Sequence, residues 1–160
     1  MSVVTASYRL ERLQRVPRPL PEVFAFFADA ANLEELTPGF LRFRILTPKP
    51  IVMGAGSLID YQLTLLGIPF HWRTRIETFD PPGPGSETAG FSDIQLTGPY
   101  ARWHHRHEFQ AVSGGTDIRD VVDYALPLGP LGMLAHALFV RRQLDAIFEY
   151  RRQRCAQRFG

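Results

Sequence analysis

His105 and His107 stand two apart in a stretch that alternates Trp103, His105, His107 and Phe109 against His104, Arg106, Glu108 and Gln110. Successive side chains of a strand point to opposite faces, so the charged set takes the water and both imidazoles turn inward. A turn at Gly98, Pro99 and Tyr100 predicts Gln95 opposite Trp103, Asp93 opposite His105 and Phe91 opposite His107. A two-residue turn at Gly114-Gly115 predicts Tyr124 opposite His105, and Asp120 opposite Phe109 and diagonal to His107. Opposed side chains in a sheet touch, and diagonal ones stay within reach of long side chains. Asp93, Gln95, His105, His107, Asp120 and Tyr124 are therefore expected inside, which is costly unless each finds a partner.

Three chemistries compete for this cluster. It can be a self-satisfied network, Asp93 with His105 and Asp120 with His107, that ties the strands together. It can be the polar end of an apolar pocket, orienting a ligand's carbonyl or hydroxyl. It can also catalyse: a carboxylate-held histidine works as general acid or base near neutral pH, and Tyr124 could polarise a ligand oxygen. The catalytic candidates are then His105, His107 and Asp120, although no evident nucleophile accompanies them. Two histidines spaced by two are weak evidence for a metal, and neither a metal nor another cofactor is expected.

The elements that would hold this cluster follow from periodicity. The segment from Ser7 to Arg15 alternates as a first strand, and Pro17, Pro19 and Pro21 end it. Val23, Phe24, Phe26, Phe27 and Ala30 give a short helix its apolar face, and a second short helix is predicted over 32–36. Strands are expected at 41–46 and 57–66. A Gly67-Ile68 turn then sets Leu65 opposite Phe70, Leu63 opposite Trp72 and Tyr61 opposite Thr74. A loop over 80–90 precedes strands at 91–97, 101–112 and 116–126. From Leu131 the pattern is helical for nearly thirty residues, with Leu134, Leu138, Leu144, Phe148 and Cys155 near one stripe.

These elements predict an α+β fold: a seven-stranded curved antiparallel sheet around a long C-terminal helix, with two short helices between strands one and two. Tyr61, Phe70, Trp72, Phe91 and Trp103 are expected to face inward as plain core or as cavity lining. Leu138 and Arg141 are expected over the pocket, Arg141 pairing with an acidic ligand. The competing and stronger expectation for the helix arginines is a solvated face with cations near the C-terminus, and contact with an anionic membrane or a partner is a third alternative. Met53-Gly54-x-Gly56 lacks a following Lys-Ser/Thr and reads as a turn, not a phosphate loop.

Composition bounds the function. The 160 residues, 45% hydrophobic and 21% charged, suit one domain spanning 1–160. The net charge is +2 and the arginines are spread out, so nucleic acid is not an expected partner. A single cysteine, Cys155, excludes an internal disulfide framework and suits a reducing cytoplasm. The polar N-terminus lacks a leader-like apolar run, and Pro127, Gly129, Pro130 and Gly132 interrupt the most apolar stretch. A soluble cytoplasmic protein without stable membrane insertion is expected.

Several motifs carry a resemblance. They are Asn32-Leu33 with Thr37-Pro38, and Asp93-x-Gln95-x-x-Gly98-Pro99-Tyr100-x-x-Trp103-x-His105-x-His107-x-Phe109. Gly115-Thr116-x-Ile118-x-Asp120, Tyr124-x-Leu126-Pro127 and Phe148-x-Tyr150-Arg151 continue them. The chain resembles the START-like helix-grip superfamily (SRPBCC) of lipid-transfer domains, polyketide cyclases/aromatases and pollen-allergen-like proteins. It resembles most a bacterial cyclase/dehydrase-like branch sometimes labelled cell division inhibitor-like. The resemblance implies a lipid, polyketide, quinone or similar apolar ligand between sheet and helix. It carries over no catalytic residues. A cyclase or dehydratase and a regulatory interaction module remain the alternatives to a binding protein, and no protein partner is specified.

Overall fold

The computed structural model describes residues 6–160; the first five residues of the polar N-terminus lie outside the described residues. The chain runs β1 (Ser7–Val16), α1 (Leu20–Phe27), a 3-10 turn (Ala30–Asn32), α2 (Leu33–Leu36) and a second 3-10 turn (Gly39–Leu41). Six strands follow: β2 (Arg44–Ile45), β3 (Leu58–Leu65), β4 (Ile68–Asp80), β5 (Thr88–Thr97), β6 (Arg102–Val112) and β7 (Gly115–Ala125). One long helix ends the chain in three parts: α3 (Gly129–Ala135), a π-helical turn (His136–Val140) and α4 (Arg141–Phe159).

All seven strands form one antiparallel sheet in the order β1-β7-β6-β5-β4-β3-β2. Two register shifts in β4, at Arg73/Thr74 and Ile76/Thr78, bend the sheet. The second moves the inward set from Trp72, Thr74 and Ile76 onto Phe79. Under the concave face, Phe24 and Phe27 of α1 pack with Phe91, Phe109, Cys155 and Phe159. Leu144 and Phe148 of α4 pack against Leu10, Val122 and Tyr124. This is the architecture expected from the periodicity, a curved antiparallel sheet wrapped around a long C-terminal helix.

Four details differ from the sequence reading, each for a local reason. The strand expected over 41–46 shrinks to Arg44–Ile45, because the chain makes a 3-10 turn and Arg42 adopts a left-handed conformation at φ 47°. The β3–β4 turn is Leu66-Gly67, with φ of 50° and 78°, so Leu65 opposes Ile68, Leu63 opposes Phe70 and Tyr61 opposes Trp72. The β6–β7 turn is Ser113-Gly114, with Val112 opposite Gly115, so Tyr124 opposes Trp103 and Asp120 opposes His107. Both slips are of two residues and leave every side chain on its predicted face. The loop over 80–90 is shorter than expected, since β4 reaches Asp80 and β5 begins at Thr88.

The long helix departs further. Leu134 and Leu138 are exposed while Leu144, Phe148 and Cys155 are buried. Upstream of Leu144 the buried positions are Gly129, Gly132 and His136. Gly132 is needed there: a Cβ would sit 2.1 Å from the Pro127 carbonyl oxygen, so the bare backbone lets the helix seat on its own entry loop.

Candidate functional site

Strand alternation on β5, β6 and β7 brings Asp93, His105, His107 and Asp120 onto one concave patch, and α4 lays Arg151 across it. The pairing is diagonal and opposite to the expected one. His105 Nε2 lies 2.8 Å from Asp120 Oδ1, and His107 Nε2 lies 3.0 Å from Asp93 Oδ2. The two imidazoles nearly stack, with centroids 3.7 Å apart, and Phe91 covers the other side of His107 at 4.2 Å. Each carboxylate therefore bridges to the histidine beside its opposite neighbour.

The His107 Nδ1 atom sits between two groups of opposite character. Arg151 Nη2 can donate to it from 3.2 Å, and Asp120 Oδ1 can accept from it at 3.3 Å. Arg151 Nη2 is also 3.4 Å from Asp120 Oδ1, and the guanidinium stacks over Phe27 with its carbon 4.9 Å from the ring centre. A proton on Nδ1 thus exchanges the arginine donor for the carboxylate acceptor.

Burial and these charges set the ionisation. Burial alone would raise the Asp120 carboxyl, but Arg151 and the hydrogen bonds of His105 and His107 hold it well below the ordinary range. Asp93 is lowered in the same way: burial opposes, and His107, His105 and Arg151 prevail. Burial, aided by the neighbouring His107, pushes His105 down to about 4, so it is neutral at pH 7. At His107 burial opposes the proton, but hydrogen bonds to Asp120 and Asp93 overcome it and raise the pKa. Two carboxylates, one guanidinium and, when His107 carries its second proton, one imidazolium sum to zero. In that state the cluster is buried but electrically balanced.

Next to the balanced cluster lies a cavity of about 170 Å³. Trp72, Trp103, Tyr100 and Tyr61 form its aromatic wall, with centroid separations of 5.3 Å for Trp72–Trp103, 4.8 Å for Tyr100–Trp103 and 5.8 Å for Tyr61–Trp72. Leu144, Ile147 and Phe148 of α4 face it from the other side. Thr74 Oγ1 pins the wall, accepting from Trp72 Nε1 at 3.1 Å and bonding the Tyr61 hydroxyl at 3.1 Å. Asp93, His105, His107 and Arg151 supply the polar end. No donor among the described residues meets Asp93 Oδ1.

Of the residues read from sequence, Tyr61, Trp72, Phe91, Asp93, Trp103, His105 and His107 line this cavity. Six others do not. Gln95 folds back on its own turn, bonding the Tyr100 carbonyl at 2.8 Å and accepting the Tyr100 N–H at 3.1 Å. Tyr124 is taken up by His136, whose Nε2 is 2.7 Å from its hydroxyl. Phe70 lies beyond the lining, near the hairpin turn, and Asp120 sits behind the histidines against a smaller cavity of about 40 Å³. Leu138 and Arg141 are exposed, because the buried face of the helix upstream of Leu144 runs through His136 and Gly132 instead. The residue missed is Arg151. Its signal was present: Phe148, Arg151 and Cys155 share one helix stripe at i, i+3 and i+7, and an arginine on an apolar stripe needs buried acids.

Asp93, His105 and His107 could each turn one donor atom toward a common point, all within 4.8 Å of one another. Arg151 already brings the positive charge that such a donor set attracts.

Residues 16–147 match the family described as polyketide cyclase / dehydrase and lipid transport. No curated protein sequence matches the chain. Among solved structures, a protein of Thermus thermophilus superimposes with a TM-score of 0.66 at 15% identity, over 97% of this chain and 100% of that one. Truncated norcoclaurine synthase from Thalictrum flavum gives 0.63 at 13% identity, covering 96% of each. The Zhui aromatase/cyclase from Streptomyces sp. R1128 gives 0.62 at 14%, over 93% and 94%. At these identities the likeness is one of fold.

Proposed function

We propose that this chain, which belongs to the polyketide cyclase / dehydrase and lipid transport family, binds a compact, neutral, ring-bearing molecule in the cavity between sheet and α4. The described residues act together as one binding domain. The observation that carries this reading is the pairing of an aromatic-walled space with a buried cluster whose two carboxylates are matched by Arg151 and by a His107 held toward its charged form. A balanced cluster offers hydrogen bonds without favouring either sign of ligand charge. Asp93 Oδ1 suits a hydroxyl donor. The volume of about 170 Å³ is near the roughly 150 Å³ that admits one benzene ring and below the several hundred typical of drug-sized ligands. A quinone-like or polyketide-derived ring fits that space better than a whole lipid chain. The single thiol, buried and pushed up to about 11 by burial, suits a reducing cytoplasm.

The rival reading is acid–base catalysis of a cyclisation or dehydration, favoured by a cavity-facing carboxylate, Asp93, backed by an imidazole. His105 near 4 and a depressed Asp93 are weak bases at neutral pH, which supports binding over proton abstraction.

Both tryptophans of the chain line the cavity, so intrinsic fluorescence reads its occupancy directly. Native mass spectrometry of the purified protein is expected to reveal a retained small ring compound, and re-adding it should quench Trp72 and Trp103 saturably. A ligand that binds with no change in tryptophan emission would overturn the assignment. If His105→Asn abolishes turnover of the retained compound while leaving its affinity intact, the catalytic reading replaces the binding one.

A further inference from the structure

We propose that the end of the molecule carrying α3 docks reversibly on an anionic lipid surface. Leu131, Leu134 and Leu138 are 69%, 56% and 51% exposed, and they recur at i, i+3 and i+7 on the side of the helix opposite to Gly132 and His136. Leu128 and Phe139 are also more than half exposed and flank this row. A contiguous apolar face of this kind marks an interaction site.

The strand register places a second apolar group at the same end of the sheet. β7 ends at Ala125, opposite Arg102 at the start of β6, while β5 ends at Thr97, opposite Arg73. The β3–β4 hairpin projects past that level and carries Leu66 and Ile68, both more than half exposed, at its tip.

Charge identifies the partner. Of the arginines on the three segments that build this end, Arg73 and Arg106 are paired, with Asp60 and Glu108. Arg75, Arg102, Arg141 and Arg142 make no ion pair among the described residues, and the last two directly follow the leucine face and are exposed. Exposed leucines followed by arginines, with no acid among them, match an interfacial helix on anionic lipid. A second copy of the chain fits less well. A two-fold contact through this face would bring both Arg141-Arg142 pairs together, and the nearest helix carboxylate, Asp145, is already paired with Arg12. No helix among the described residues is long and apolar enough to cross a membrane, so the contact is peripheral. Val140, at the end of the π-helical turn, packs on the cluster holding Tyr100 and Trp103, so the docking face adjoins the cavity wall.

The test is co-sedimentation of the full chain with phosphatidylcholine vesicles, with and without phosphatidylserine. The protein should pellet with the serine-containing vesicles and be released by salt. Arg141→Gln and Arg142→Gln should each weaken binding about 5-fold, the factor corresponding to roughly 1 kcal/mol per surface arginine. Leu131→Ser with Leu134→Ser should abolish it at an unchanged melting temperature, since both side chains are exposed. Equal binding to both vesicle types, no binding to either, or a wild-type dimer that the leucine pair of substitutions dissociates would each overturn the proposal. The result is independent of whether the cavity ligand is found.

Discussion

Replacing Arg151 with methionine tests the electrostatic reading of the site most sharply. Arg151 and Asp120 are 11% and 9% exposed at their side chains, so the interaction is little screened by water. The substitution keeps the apolar contact with Phe27 but removes the fixed positive charge that faces the two carboxylates, adding one buried negative charge to the balance. Breaking a buried pair by removing one partner costs about 3–5 kcal/mol, which for a chain of this size lowers Tm by about 6–20 °C. His105 offers the relief: without the guanidinium, its pKa should rise from about 4. A histidine whose folded pKa rises above its unfolded value of about 6.5 adds stability below that pH and loses it above. The deficit of the variant relative to wild type should therefore be largest at pH 8 and shrink by pH 6. Urea unfolding at the two values measures this. The double variant Arg151→Met with Asp120→Asn removes one charge of each sign and restores balance. It should cost at least about 1 kcal/mol less than the sum of the two single variants. Additive losses with no pH dependence would refute the balanced cluster.

Other expectations follow from neighbouring contacts. Tyr124→Phe removes the 2.7 Å bond to His136 and should cost about 1 kcal/mol with ligand affinity unchanged; a lowered affinity would return Tyr124 to the binding site. Thr74→Val strips the shared acceptor from Trp72 and Tyr61, so about 1–3 kcal/mol of stability should be lost together with ligand affinity, read by tryptophan emission. In acid, Asp93 and Asp120, both depressed, stabilise the fold above their unfolded pKa near 4 and lose that contribution as pH falls through their folded values. Acid unfolding followed by circular dichroism should begin below about pH 4, and should begin at higher pH in Arg151→Met. Zinc added to the wild type should leave Tm unchanged, because Arg151 already neutralises the donors; a rise of several degrees would point to a metal site at Asp93, His105 and His107.

The architecture was legible because periodicity is a property of the chain alone: the switch from helical spacing in α1 to alternation in β3–β7 specifies both the elements and their inner faces. Register was less legible. Gly114 and Gly115 are adjacent, as are Leu66, Gly67 and Ile68, and either neighbour could head the turn. The face assignments survived because each slip was even. Pairing inside the cluster depended on that slip: moving β7 by two residues put Asp120 opposite His107 and left its carboxylate closest to His105. The helix stripe failed for another reason. A uniform 3.6-residue period cannot anticipate a π-helical turn, so leucines before it and buried residues after it looked like one row. Arg151 was hidden by company, one of many arginines on α4, and only its position between Phe148 and Cys155 set it apart.

The π-helical turn at His136–Val140 therefore divides one rod into two separately addressed surfaces. Past it, α4 answers to the interior, where Leu144, Phe148 and Arg151 meet the sheet. Before it, α3 presents leucines to whatever lies outside. Substitutions that reshape the cavity can accumulate on the first without touching the exposed leucines of the second. The reverse holds too, so the inner cavity and the outer leucine face can change separately within one polypeptide.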